Sequence, residues 1–273
     1  MFSKIKQGIK KKIFKTKKTK GSINPFGKFT VLPDDTFLVS YPKSGNTWLR
    51  FLIANLMYLD HTTVSFSNID KLIPDIYQNH DQDLLKLSTP RILKSHSYFD
   101  ARYPKVIYIV RDPRDVAISY YKYLIKNKKV EEDYSIDLWI KPFIEGKFNP
   151  QFKTWSENVE SWLSSKNNAD NFLLIKYEDM LVNSFDEMLK IASFLQLTKD
   201  YNHVKKAIEL SSADRMRKLE RQTKWQPEKN SKKNIPFVRT AKSGNWKTDL
   251  SEYAVKEIEN NWQSSMQKLN YLD

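Results

Sequence analysis

The chain has no cysteine among its 273 residues. That excludes a disulfide framework and any metal site built on thiolates, and it makes a reducing compartment the simpler expectation. Histidine is scarce too. The four, His61, His80, His96 and His203, show no HxxxH or HExxH spacing, so no metal centre is expected. No run of about 18 apolar residues occurs, so no segment reads as a membrane span. Internal repeats are absent. The sequence also lacks the Walker A pattern, in which a Lys follows the second Gly and directly precedes Ser or Thr.

What is present is a composition 40% hydrophobic and 13% aromatic, as in a folded globular chain. The length suits one large α/β domain with a sizeable core. Net charge is +14, and residues 1–20 hold nine lysines and no acid, so most of the excess belongs to a tail. Three readings compete for that tail. It is a solvated terminus, or a nucleic-acid-binding arm, or a membrane-surface helix. The last rests on Ile5, Ile9 and Ile13 at i, i+4 spacing, with Phe2 and Phe14 beside them and lysines on the other faces. It adds peripheral contact with an anionic membrane to a cytoplasmic location. The tail is too charged for a signal peptide. Residues 21–33, with Gly, Ser, Asn and two Pro, read as a linker. The expected division is therefore 1–33, tail and linker, and 34–273, the folded domain.

One stretch organises that domain. Phe37–Ser40 is a short apolar run with no helical room before Pro42, and from Trp48 apolar residues pair at 48/49, 52/53 and 56/57, which is helical spacing. Between them Pro42, Lys43, Ser44, Gly45, Asn46 and Thr47 form a loop whose N–H groups can turn inward. A helix start behind such a loop offers unpaired donors and a positive dipole end, which suits a phosphate. The alternative is an ordinary tight turn. Further on, Arg91–His96 is short and β-like, and its alternation places Lys94 and His96 on one side and Ser95 on the other. In α/β sheets ligands sit at the carboxyl ends of strands, so His96 is placed as a base with Lys94 beside it. A hydrogen-bonded structural histidine is the plainer reading.

Lys105–Val110 is a buried parallel strand. Asp112 and Pro113 then read as N-cap and first turn of a helix, with Arg111 at the strand end and Ser119 about two turns in. Residues 135–148 and 151–165 are rich in aromatics. Trp155, Val159 and Trp162 fit one helix face as core, while a family resemblance, carried by the motifs that follow, implies Phe143 and Phe148, near Gly146, as walls of an acceptor pocket. Asn171–Met180 reads as another buried strand ending in a polar turn. Ser184–Leu195, Ala207–Lys218 and Ser251–Leu269 read as helices.

The sequence from about 34 to 250 resembles the sulfotransferases that use 3′-phosphoadenylyl sulfate (PAPS) as donor. Tyr41–Trp48 is similar to their 5′-phosphosulfate-binding loop. Lys94-Ser95-His96 is similar to their K-T-H element, in which the His is the catalytic base. Arg111, Asp115, Ser119 and Tyr121 match R-x-x-x-D-x-x-x-S-x-Y, whose Arg and Ser grip the donor's 3′-phosphate. Lys176–Met180 resembles the strand ending in Y-E-D-M, with Tyr177 near the adenine, and Ser211 matches a Thr or Ser at the nucleotide. Phe237–Lys247 resembles the R-K-G-x-x-G-x-W-K loop, with Arg239, Gly244, Trp246 and Lys247 in place and Thr240-Ala241 replacing Lys-Gly.

The resemblance implies a P-loop-like three-layer α/β fold, a central parallel sheet flanked by helices. It implies transfer of a sulfuryl group from PAPS to an acceptor hydroxyl, on a carbohydrate, lipid or small alcohol, leaving 3′,5′-adenosine bisphosphate (PAP). His96, Lys43 and Lys94 would be catalytic. Lys43, Ser44, Gly45, Asn46, Thr47, Trp48, Arg111, Ser119, Tyr177, Ser211, Arg239, Thr240 and Ala241 would hold the donor, with Trp48 packed on the adenine. No metal and no specific nucleic acid are implied. A different P-loop phosphotransferase and a basic binding module are the competing classes. The missing Walker lysine counts against the first.

Overall fold

The structure is a computed structural model and describes residues 28–166, 169–197 and 200–273. The readings made for residues 1–20 therefore lie outside the described residues. Among the described residues no helix is long and apolar enough to cross a membrane.

Among the described residues four parallel strands form the sheet, in the order β2-β1-β3-β4. They are β1 (Thr36–Val39), β2 (Ile92–Ser95), β3 (Lys105–Val110) and β4 (Phe172–Lys176). β1 pairs with β2 from Thr36↔Ile92 to Val39↔Ser95, and with β3 from Thr36↔Lys105 to Val39↔Tyr108. Asp75 adds one parallel bridge to Lys94 outside β2, with Lys94 N–H donating to the Pro74 carbonyl and Ile76 N–H to the Lys94 carbonyl.

The period-two alternation of the strands builds the three layers. Phe37, Val39, Val106, Tyr108 and Val110 enter one core, shared with Trp139, Trp155, Trp162 and Trp262. Leu38, Ile107, Ile109 and Ile175 enter the other, under α1 (Asn46–Tyr58). Parallel strands covered on both faces read as unbroken apolar runs, as β3 does. On the first face lie α4 (Pro113–Lys126), α5 (Ile136–Ile144), α6 (Trp155–Lys166) and α11 (Glu252–Lys268). The short α2 (Ile69–Leu72) and α3 (Asp81–Leu84) flank the bridge at Asp75. The second face also carries α7 (Tyr177–Val182), α8 (Ser184–Phe194), α9 (Tyr201–Leu210) and α10 (Ala213–Thr223).

A buried ion pair ties the strand starts together. Arg91 Nε donates to Asp35 Oδ1 at 2.7 Å and Nη2 to Oδ2 at 2.5 Å, with both side chains fully buried. The remaining donors reach the Leu84 and Thr30 carbonyls. A bidentate fork with its other hydrogens satisfied meets the condition under which a buried pair is tolerated.

Three expectations are corrected. The segment 171–180 is not one buried strand. β4 is the sheet edge and only half-buried over most of its length, and Tyr177 starts a helix where a polar turn was expected. The helix expected over Ala207–Lys218 is two, α9 and α10, broken at Ser211-Ser212. The break has a tertiary cause: the Trp48 indole donates to the Ser211 carbonyl and Asn55 donates to the Ser211 hydroxyl. Phe143 is no pocket wall. It is 1% exposed and stacks on Trp139 with centroids 4.6 Å apart. Phe148, half-buried, stacks on the same indole at 5.4 Å.

Candidate active site

The carboxyl ends of all four strands converge on one site. β1 delivers the loop Tyr41–Gly45, β2 delivers His96, β3 delivers Arg111 and β4 delivers Tyr177.

The loop is shaped by Gly45, whose φ of +104° lies in the left-handed region. A Cβ there would stand 2.5 Å from Tyr177 Cδ2, so only glycine lets the tyrosine ring close on the loop. No side chain caps α1 and no acid stands in its first turn. Its leading N–H groups and positive dipole end are therefore open to an anion. Asn46 anchors the loop by donating to the Leu38 carbonyl at 3.0 Å and to Ser40 Oγ at 3.3 Å. Ser44 Oγ, Asn46 Oδ1 and Arg111 Nε are buried without a hydrogen-bond partner. Three such atoms around one loop fit a polar ligand there.

Cations crowd this site. The Lys43 ammonium lies 4.3 Å from the ring centroids of both Tyr123 and Phe237, so it is clamped rather than the mobile charge its stem suggests. Burial, with Arg239, Lys94 and Arg111 nearby, pulls its pKa down to about 7. The Arg111 guanidinium stacks on Tyr177 at 4.3 Å and donates to the Lys242 carbonyl at 3.0 Å. Burial, and then Arg111, also holds Arg239 below its usual value. Asp115 Oδ2 lies 3.6 Å from Arg111 Nη2 and offsets one of these charges, and with Lys43 and Arg239 the neighbourhood still carries an excess of positive charge beside the uncapped helix, which suits an anion.

His96 stands near enough to Lys43 to feel its charge. Its Nδ1 lies 2.7 Å from the Ser40 carbonyl oxygen and 3.2 Å from Ser40 Oγ. A carbonyl only accepts, so Nδ1 carries the proton and Nε2 keeps a free lone pair. Burial, then Lys94, press the imidazole pKa down to about 3, so it is neutral. Lys94 is not free beside it: its ammonium is ion-paired with the buried Asp75. Ser95, on the opposite side as expected, packs its hydroxyl 3.0 Å from that of Tyr103.

The model of the sulfotransferase domain matches residues 33–270. The chain belongs to the sulfotransferase family. A 3-beta-hydroxysteroid sulfotransferase of Cavia porcellus is 30% identical over 250 residues, covering 88% of this chain and 86% of that protein. Cytosolic sulfotransferase 12 of Arabidopsis thaliana is 29% identical, covering 85% and 77%. Among solved structures, a mouse sulfotransferase complexed with PAP superposes with a TM-score of 0.70 at 22% identity, covering 91% and 90%. Retinol dehydratase complexed with retinol and PAP gives 0.71 at 18% identity, covering 89% and 84%. These two likenesses establish the fold, an α/β sulfotransferase fold with a central parallel sheet flanked by helices.

In this sulfotransferase the remaining expected site residues divide into two groups. Thr47 and Trp48 are half-buried at the start of α1, with the Trp48 ring edge-on to Tyr177 at 5.5 Å. Ser119 is 8% exposed on α4, two turns beyond Arg111. Arg239 reaches the same neighbourhood from the loop 237–247. Ser211, by contrast, is fully buried with its hydroxyl taken by Asn55, so it braces Trp48 from behind. Thr240 is exposed and its hydroxyl accepts from Asn245. Ala241 adopts φ +50°, a left-handed conformation that suits the glycine it replaces.

Sequence reasoning left three contributors out of the site. Asp115 accepts from Gly244 N–H at 2.7 Å and Trp246 N–H at 3.1 Å, pinning the 237–247 loop onto α4. Its place in the R-x-x-x-D-x-x-x-S pattern was a signal for it. Tyr123 and Phe237, which clamp Lys43, carry no such signal. Chain-distant rings meet an ammonium only through the fold.

Proposed function

We propose that this sulfotransferase uses PAPS as donor and moves its sulfuryl group to an acceptor hydroxyl, with His96 as general base. The observation that carries the reading is the His96 tautomer. A neutral imidazole with Nδ1–H tied to Ser40 presents Nε2 as a proton acceptor beside the anion-demanding loop.

The residues divide the work. Loop N–H groups 45–48, Ser44 and Lys43 hold the 5′-phosphosulfate end. Arg111, Ser119 and Arg239 hold the 3′-phosphate, while Trp48 and Tyr177 flank the adenine. Thr240 and Ala241 enter through the backbone of the loop that carries Arg239. The acceptor oxygen forms a bond to sulfur as the bond from sulfur to the nucleotide phosphate oxygen breaks. His96 Nε2 takes the acceptor proton, and the electron pair of the broken bond stays on the phosphate. Lys43 and the helix dipole balance that growing charge without reorganising. Lys94, held close by Asp75, lies within the same field.

What supports the donor assignment is the pairing of an uncapped helix start with Arg111 and Arg239, since one phosphate would not call for both cation groups. PAP in the structural neighbours accords with it. For the acceptor, the hydroxysteroid named in the Cavia porcellus relative gives the first class to try, and a cytosolic setting accords with the Arabidopsis thaliana relative. The test is a transfer assay with labelled PAPS over pooled steroid, lipid, carbohydrate and small alcohols. Label in an acceptor pool, abolished by His96→Ala, is expected. No transfer to any hydroxyl acceptor from PAPS, with transfer from another donor, overturns the reading.

A further inference from the structure

Asp75 is a buried carboxylate for which the reaction as described has no use. It is 7% exposed and stands outside the sheet, on the single parallel rung beside Lys94. Several bonds fix it. Its Oδ1 accepts from Tyr77 N–H at 3.0 Å, its carbonyl accepts from Asn79 Nδ2 at 2.8 Å, and its other oxygen pairs with the Lys94 ammonium. Tyr77, two residues on, turns its hydroxyl toward the backbone N–H of His96 at 3.4 Å. The segment 75–77 therefore holds Lys94 on β2 and the backbone of His96 just past its end.

Burying a carboxylate beside a single ammonium is costly, and a hydrophobic pair would often serve stability as well. Here the charge has a local task. His96 is faced by Lys94 on its own strand, Lys43 from the β1 loop, the Ser40 carbonyl and hydroxyl, the Tyr77 hydroxyl and the ring of Phe152. Asp75 supplies the negative charge in that set. Both lysines oppose a proton on the imidazole and Asp75 favours it, although burial remains the largest influence. Burial would raise the Asp75 carboxyl, but Lys94 and His96 outweigh it and hold it below the usual range, so it stays ionised.

We propose that Asp75 is a positioning residue for sulfuryl transfer: it anchors Lys94 beside His96 and supplies the charge against which the imidazolium forms. The inference rests on His96 being the base. As the acceptor proton arrives at Nε2, the imidazolium meets a neutralised Asp75–Lys94 pair instead of a bare second ammonium. Without the carboxylate the same proton transfer places two cations side by side, and Lys94 loses its anchor.

The test uses the full chain with PAPS and whichever acceptor the transfer assay identifies. Asp75→Asn keeps the shape and the rung but removes the charge. Its kcat should fall by on the order of 10²-fold, the scale of a misplaced reacting group. The donor KM and the thermal shift from PAP should stay within twofold and unchanged, respectively. The acidic limb of the kcat/KM profile should move to lower pH, because losing a negative neighbour lowers the imidazole pKa. Asp75→Glu should recover much of the loss. In a Lys94→Met background Asp75→Asn should cost far less than alone. Wild-type kcat and an unshifted limb in Asp75→Asn overturn the proposal. So does equal loss in Asn and Glu variants, which marks a packing role. If Asp75→Asn fails to gain stability from PAP, the Glu variant and the Lys94→Met cycle decide. Full activity of His96→Ala would instead overturn the base assignment itself, so the two failures are distinguishable.

Discussion

The Nδ1–H of His96 donates to the carbonyl oxygen of Ser40 across 2.7 Å, joining the ends of β2 and β1. One bond sets the tautomer and the ring's aim together, and the proposed chemistry depends on both. His96→Ala should therefore lower turnover by about 10² to 10⁴, the usual range for a lost general base. PAP binding should be nearly intact, because Lys43, Arg111 and Arg239, rather than the imidazole, are the groups proposed to hold the phosphates. Steady-state kinetics beside a PAP-induced thermal shift separates the two. Equal losses in both would assign His96 a structural role.

Lys43 should make donor binding depend on pH. Its pKa is pulled down to about 7 from an ordinary 10.5, so between those values the folded chain binds fewer protons than the unfolded one. Stability from this group is thus full above the unfolded value and is lost as pH falls through about 7. An anionic ligand favours the ammonium and raises the pKa, so PAP binding takes up a proton and its affinity falls as pH rises above about 7. Calorimetry in buffers of different ionisation enthalpy reads that uptake, which Lys43→Met should abolish.

Arg111→Ala should weaken PAP binding by about 1.5–3 kcal/mol, the worth of a charge-assisted contact. Binding of AMP, which lacks the 3′-phosphate, should hardly change. Equal weakening of both nucleotides would place Arg111 elsewhere on the ligand.

Ala241 sits at φ +50° in the loop that carries Arg239. A left-handed alanine costs roughly 1–2 kcal/mol, part of which glycine returns through its freer unfolded state. Ala241→Gly should raise stability by a few tenths to about 1 kcal/mol. A lower melting temperature would mean that the loop relaxes around alanine.

Arg91→Met should destabilise the chain by about 3–5 kcal/mol, because it strands the buried Asp35 carboxylate. Adding Asp35→Leu should recover much of that loss. Urea titrations of the single and double variants measure the coupling, and simple additivity would show the pair to be uncoupled.

The sequence by itself determined the parts of this protein that are local. The apolar run at Lys105–Val110 and the Asp112 cap before Pro113 are set by alternation and propensity and form where they were expected, and the loop after Tyr41 also forms, with its helix starting at Asn46, two residues before the expected Trp48. Period-two placement also put Lys94 and His96 on one side of their strand. Tertiary structure decided what needs partners distant in the chain. Whether 171–180 is a central or an edge strand depends on what lies beside it, and among the described residues the strand order puts nothing beyond β4. The helix break at Ser211 is made by Trp48 and Asn55 from α1. The clamp on Lys43 and the carboxylate beside Lys94 likewise come from residues whose own sequence neighbourhoods are unremarkable. Hydrogen bonds and charges act over a few ångströms of space, and only the folded chain brings Asp75, Lys94 and His96 within that range of one another.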